Sequence, residues 1–129
     1  MAEKYDPDAL RFWWQDCESC PGVFIGNVLV SSYPCPVCTI YFTFGPGVEI
    51  MHILDVHTNT HFLRKNIASE LLRHITSIFD ETRWVVSGSG STKAGKGWMK
   101  SLGFKKAKSG VMKGHYVVKV SDMEKRGKI

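Results

Sequence analysis

The period of the apolar positions changes along this chain, and each change marks a new element. VFIGNVLVSS (23–32) and TIYFTF (39–44) are rich in β-branched and aromatic residues and bounded by Gly, Pro and Cys, so both predict strands. Gly45-Pro46-Gly47 predicts a turn, and EIMHILDVH (49–57) a third strand. Strict alternation there places Ile50, His52, Leu54 and Val56 on one face and Glu49, Met51, Ile53 and Asp55 on the other. From Leu63 the period lengthens. Leu63, Ile67, Leu71, Ile75 and Ile78, with Leu72 and Phe79, form one stripe of a helix of about five turns.

Shorter signals flank this centre. PDALRFWWQD (7–16), with Asp6 as N-cap and Pro7 at the first helical position, predicts a short helix. Its adjacent Phe12, Trp13 and Trp14 cannot all face one side, so at least one is expected to stay partly exposed or to meet a partner. Trp84-Val85-Val86 predicts a buried strand and SGSGST (87–92) a loop of phosphate-binding size. Ser91 or Thr92 then caps a helix carrying Ala94, Trp98 and Leu102, which Gly103 terminates. VMKGHYVVKV (111–120) alternates Tyr116, Val118 and Val120 against His115, Val117 and Lys119, a half-buried strand. Strands interleaved with helices give an α/β (α+β) fold: one domain over residues 1–129, with a mixed, mostly antiparallel sheet flanked by helices.

Charge changes the picture more than composition does. The net charge of +5 conceals two unlike halves: residues 1–60 hold 2 Lys and Arg against 7 Asp and Glu, and residues 61–129 hold 15 against 5. An anionic ligand or partner is expected for the second half, whether a phosphorylated cofactor, a nucleic acid or an acidic protein face. The tail Lys125-Arg126-Gly127-Lys128 reads instead as a solubilising surface. No apolar run approaches the ~18 residues that span a bilayer, and MAEKYDPDAL lacks a signal-peptide core, so the expected location is the cytoplasm.

The order strand, basic turn, long helix, strand, short helix, together with Ile67-Ala68-Ser69-Glu70-Leu71-Leu72 and Leu102-Gly103-Phe104, resembles the GNAT superfamily of N-acetyltransferases. The resemblance covers roughly Val23 to Val120. It implies acetyl-CoA as cosubstrate and an amine of a protein or small molecule as acceptor. In that family the turn before the long helix follows an Arg/Gln-x-x-Gly-x-Gly/Ala pattern and holds the cofactor pyrophosphate on backbone amides. Here the turn is Leu63-Arg64-Lys65-Asn66-Ile67-Ala68. Ala68 fits, Asn66 is the non-glycine residue best suited to a left-handed backbone, and Leu63 departs from the pattern. Arg64 and Lys65 oppose the helix dipole unless an anion sits between. The resemblance further assigns the backbone of Leu54, Asp55 and Val56 to the pantetheine arm, threaded between that strand and Arg83–Ser87. It brings Thr92, Lys93 and Lys96 towards the cofactor.

Amine acetylation needs a base for the incoming ammonium and an acid for the leaving thiolate. The resemblance points to Glu49 as base, with His52 and Asp55 as neighbours able to serve. The family's frequent tyrosine acid falls on Met99, which has no proton to give, leaving water or Tyr116 for that role. The alternative is a fold that kept its shape and lost its chemistry. Val85-Val86-Ser87-Gly88 followed by Trp98…Leu102-Gly103 is similar to small phage-encoded members of the superfamily, some of them packed inside virions.

All four cysteines lie in two CxxC pairs, Cys17-Glu18-Ser19-Cys20 and Cys35-Pro36-Val37-Cys38, a spacing close to that of a structural tetrathiolate zinc site. The sulfurs converge only if Gly26-Asn27 is a hairpin turn. One continuous strand over 22–32 holds Cys20 and Cys35 apart by roughly 35 Å. Without metal the thiols pack as small apolar groups. A third function, a zinc-ribbon nucleic-acid binder, is disfavoured because the cations are scattered, with no interleaved aromatics to stack bases. Phe12, Trp13 and Trp14 leave room for a protein partner or a second copy.

Overall fold

A computed structural model describes residues 10–30, 32–45, 47–59, 66–88, 93–110 and 113–126 of the chain, with the side chains of 93–96 and 124–126 outside that description. Seven strands form one sheet: β1 (Arg11–Asp16), β2 (Val23–Leu29), β3 (Cys38–Phe44), β4 (Ile50–Thr58), β5 (Trp84–Ser87), β6 (Lys105–Lys106) and β7 (Tyr116–Lys119). Their spatial order is β1-β2-β3-β4-β5-β7-β6. The ladders are antiparallel except for β4 with β5. Helices α1 (Ile67–Ile78), α2 (Lys93–Leu102) and α3 (Val120–Arg126) complete the domain. Among the described residues no helix is long and apolar enough to cross a membrane.

The helix expected over 7–16 is corrected: residues 11–16 are the edge strand β1, and 7–9 lie outside the described residues. A period of two suits the aromatics better than a helical one. Phe12 and Trp14, two apart, both turn towards α1, where Phe12 stacks on His74 at 4.6 Å and Trp14 meets Phe24 and Phe79 edge-on. Trp13 faces the other way and stays 51 % exposed. A helix would have split this pair between faces.

β2 runs without a break, and Gly26 sits in its middle, paired with Trp14 on one side and Ile40 on the other. A Cβ at Gly26 would lie 2.6 Å from Ile75 Cδ1, so the glycine serves the close approach of α1 rather than a turn. Phe24, Phe42, Phe44 and Phe79 pack around that contact with centroids 5.1–5.9 Å apart. Leu71, Leu72 and Ile75 are buried as the stripe requires, but Ile78 is exposed, and the described helix has 12 residues, fewer than five turns require.

β4 does not alternate strictly. Tyr41 pairs with Asp55 and Phe42 with Ile53, so Leu54 is an extra residue, a β-bulge. Met51 and Ile53 face the core, and beyond the bulge Val56 joins them, correcting the expected grouping of Val56 with Ile50 and His52. Leu54 and Asp55 are both left exposed.

α2 ends as its glycine predicts. Gly103 takes φ 95°, its N–H donates to the Lys100 carbonyl (3.1 Å), and the Phe104 N–H donates to the Met99 carbonyl (3.1 Å). Met99, Leu102 and Phe104 enter the core. The last strand stops at Lys119, and Val120, expected to continue it, opens α3, whose Met123 is fully buried.

Candidate active site at the carboxyl ends of β4 and β5

Because β4 and β5 run parallel, their carboxyl ends lie at one edge of the sheet, and the chain leaves that edge each time into a helix. Such an edge, followed in the chain by a helix N-terminus after each strand, suits an anionic ligand. Ile50–Ile53 pair with Trp84–Ser87, after which β5 ends while β4 runs on to Thr58. Over Leu54–Thr58, β4 pairs with β3 alone among the described residues, and the ladder to β5 has ended. The bulge sits where the two strands part.

α1 begins beyond this gap. Asn66 adopts φ 56° and ψ 21°, the left-handed conformation expected of it, and among the described residues no side chain caps the helix. Its carbonyl accepts the Glu70 N–H at 3.0 Å. The amides of Ile67, Ala68 and Ser69 belong to the first turn, which has no intrahelical acceptors. Trp98 of α2 donates its indole Nε1–H to Ser69 Oγ at 2.9 Å, tying the second helix to the first turn of the first. Tyr116 pairs with Ser87 and with Lys106, which places it at the same edge. Among the described residues, the backbone of β4 beyond Ile53 and the first-turn amides of α1 are the groups that could hold a phosphate-bearing ligand. Of the remaining residues assigned to the cofactor, Arg64, Lys65 and Thr92 lie outside the described residues, as do the side chains of Lys93 and Lys96.

The face of the sheet away from α1 carries an open groove of about 870 Å³ that reaches the bulge. Leu54 and Asp55 line one side of it, Ile25 and Tyr41 its floor, and the turn Cys17–Cys20 its far wall. Asp55 Oδ1 accepts the Val56 N–H at 2.9 Å. Glu49 stands at the opposite edge. Its carbonyl accepts the Arg83 and Trp84 amides (2.8 and 3.0 Å), and its exposed carboxylate lies 3.9 Å from Arg83 Nε. Four residues of strand, about 13 Å, separate it from the parting of the strands. His52 lies between the two, with Nε2 against the Gly45 carbonyl. Met99, at the family's tyrosine position, is buried and offers no proton.

The zinc expectation for Cys17, Cys20, Cys35 and Cys38 is corrected. With β2 continuous, the Cys17 N–H bonds to the carbonyl of Val23 (2.9 Å), while Cys38 pairs with Val28. Five strand residues, about 17 Å, hold the two pairs at opposite ends of β2. Among the described residues no three His, Cys, Asp or Glu side chains gather where they could hold a metal ion. The thiols differ in character. A hydrogen bond with the Ser19 hydroxyl, helped by the amides of Ser19 and Cys20 and opposed by desolvation, holds the Cys17 thiol below the ordinary thiol range. Burial pushes the Cys38 thiol up, partly offset by the Thr58 hydroxyl at 3.4 Å.

Sequence reasoning missed the bulge at Leu54, the Trp98–Ser69 tether and the groove. The bulge left no trace in the period, since Leu54 and Asp55 keep the alternation of their neighbours, and the tether left none either.

No family model matches the sequence, and no curated protein sequence matches it. Solved structures do match in fold. IAA acetyltransferase from Bacillus cereus superposes with a TM-score of 0.65 at 10% identity, over 86% of this chain and 99% of its own. An acetyltransferase from Thermus thermophilus gives 0.62 at 17% identity, over 77% of this chain and 65% of its own. Tetrahymena GCN5 gives 0.63 at 9% identity, over 78% and 70%. A mixed seven-stranded sheet, one parallel pair parting beyond a bulge and a left-handed residue at the head of the helix between them together make this the fold of the GNAT acetyltransferases.

Proposed function

We propose that the protein is an N-acetyltransferase that moves an acetyl group from acetyl-CoA to an amine of a protein or small molecule. One observation carries this reading: β4 leaves β5 beyond Ile53 and Ser87, before the helix that Asn66 starts in a left-handed conformation. The pantetheine arm bonds to the backbone of Leu54, Asp55 and Val56. The diphosphate lies on the amides of Ile67 and Ala68 below Asn66, with Arg64, Lys65, Thr92 and Lys96 supplying charge and hydrogen bonds around it. The amine comes from the groove side, attacks the thioester carbonyl and expels the CoA thiol.

Two proton transfers accompany that attack. Tyr116, at the edge where the strands part, is the acid for the leaving thiolate. For the base, the groove favours Asp55, which lines it beside the bulge, whereas the resemblance favours Glu49 at the other edge. Asp55→Asn is expected to lower kcat on the order of 10²-fold or more with acetyl-CoA affinity kept, and Glu49→Gln to leave kcat within a few-fold. The reverse ranking would return the role to Glu49.

Calorimetry with acetyl-CoA tests the reading at its root. Saturable binding that Arg64→Ala/Lys65→Ala weakens is expected; no heat at millimolar ligand would end it. Binding without thiol release across a panel of amines and peptides would favour the second reading, a fold that retains its ligand but has lost the chemistry, which the buried Met99 supports.

A further inference from the structure

The turn between β1 and β2 carries a feature that acyl transfer does not use. Cys17 and Cys20 open and close a tight turn in which the Cys20 N–H reaches the Cys17 carbonyl (3.4 Å) and the Val23 N–H reaches the Cys20 carbonyl (3.1 Å). The hydroxyl of Ser19 stands between the two thiols, 3.5 Å from Cys17 Sγ and 3.9 Å from Cys20 Sγ. Both sulfurs therefore lie within reach of one hydroxyl. The turn walls the groove that runs to Leu54 and Asp55, and Cys20 is exposed to it. Cys35 is exposed as well but has no comparable partner thiol, since its CxxC mate Cys38 is buried against Thr58.

We propose that Cys17 and Cys20 form a redox-active dithiol that exchanges with small disulfides entering the groove beside the bulge. Cys17, as thiolate, attacks one sulfur of the incoming disulfide; that S–S bond breaks, one thiol leaves, and a mixed disulfide remains on Cys17. Cys20, losing its proton to water, attacks Cys17 Sγ and expels the second thiol. The protein gains one S–S bond and loses two electrons, and the incoming disulfide is reduced to two thiols. Cys17 is the attacking member because the Ser19 hydroxyl and the amides of the turn favour its thiolate. Cys20, more exposed, resolves. A Cys-x-x-Cys turn closes such a ring with little backbone movement, and the open groove gives the leaving thiol a way out.

The experiment reads thiol chemistry on the whole chain and needs no acyl-CoA. Reduced protein is exposed to graded mixtures of reduced and oxidised glutathione at neutral pH, quenched in acid and mapped by peptide mass. The expected result is a Cys17–Cys20 disulfide at mixtures that leave Cys35 and Cys38 as thiols. In Cys20→Ser, glutathione should be trapped on Cys17 about ten-fold faster than on Cys35 of the same molecule. Ser19→Ala should slow that reaction several-fold without changing the far-ultraviolet dichroism. Glutathione spread equally over Cys17, Cys20 and Cys35, or no intramolecular disulfide at any mixture, would overturn the proposal and leave exposed thiols of no particular chemistry.

Discussion

Asn66 carries more of the fold than its size suggests. At φ 56° it is the one non-glycine residue in the left-handed region among the described residues, and it sets the direction from which α1 starts. Asn66→Gly should be tolerated, while Asn66→Val should cost about 1–2 kcal/mol, read as a lower urea midpoint at unchanged slope. This residue was legible in the sequence because the local chemistry of Asn fixes its backbone preference. Gly26 was not. In the sequence Gly26 could sit within the strand over 23–32 or, with Asn27, form the hairpin turn that zinc would need; in the structure the strand is continuous and the missing side chain makes room for Ile75. Gly26→Ala should therefore destabilise by about 1–3 kcal/mol, and Ile75→Val in the same chain should recover part of the loss. Cys38 adds a pH dependence. Its thiol is raised by burial, so the neutral form is favoured in the native state. That contribution is complete below the ordinary thiol pKa and is lost as pH climbs through the native value. As pH rises above the ordinary thiol pKa of about 8.5, the native protein should lose stability faster than Cys38→Ala does, measured by urea midpoints.

At the scale of elements, the length of an apolar run proved less informative than its register. The strands at 23–29, 38–44, 50–58 and 84–87 follow the β-branched clusters closely, and α2 ends on its glycine as expected. β1 escaped because Pro7 and Asp6 suggest a helix start, while the partners that pull Phe12 and Trp14 into a strand, His74, Phe24 and Phe79, lie far along the chain. α3 escaped because a four-residue strand followed at once by a helix looks like one alternating run until Met123 is seen to be buried. The bulge at Leu54 shifts register by a single residue, a change no period count resolves. One tether between elements is open to test. Trp98→Phe keeps an aromatic side chain but removes the N–H to Ser69 and part of the ring packed on the core, so it should cost about 1 kcal/mol of stability or more. On the proposed function it should also weaken acetyl-CoA binding more than the same change at exposed Trp13 does, compared by calorimetry.

For the whole molecule, the order of elements was enough to suggest the superfamily while its signature residues were not. Order survives because the sheet topology depends on hydrophobic patterning, which many sequences satisfy, whereas the phosphate turn depends on a few specific positions, here Leu63 and Asn66 among them. The two halves of the chain differ in the same way: the early, acidic half supplies the strands of the groove face, and the cations of the later half are spread over helices, strands and loops. The site was thus legible as a region, but not as a set of distances, since Glu49 and the parting of the strands share one element and differ only by position along it.

The parallel pair has a kinetic consequence. β1 to β4 can zip as a meander of neighbours, but β5 must return across α1 before it finds Ile50–Ile53. Long closures of this kind are completed late in folding. Hydrogen-exchange labelling during refolding should therefore protect the amides of Val28, Ile40 and Phe42 before those of Val85 and Val86. A cleft that exists only once its second wall has arrived cannot help the chain towards its native state. A ligand held there would lengthen the lifetime of the finished protein and leave the refolding rate untouched.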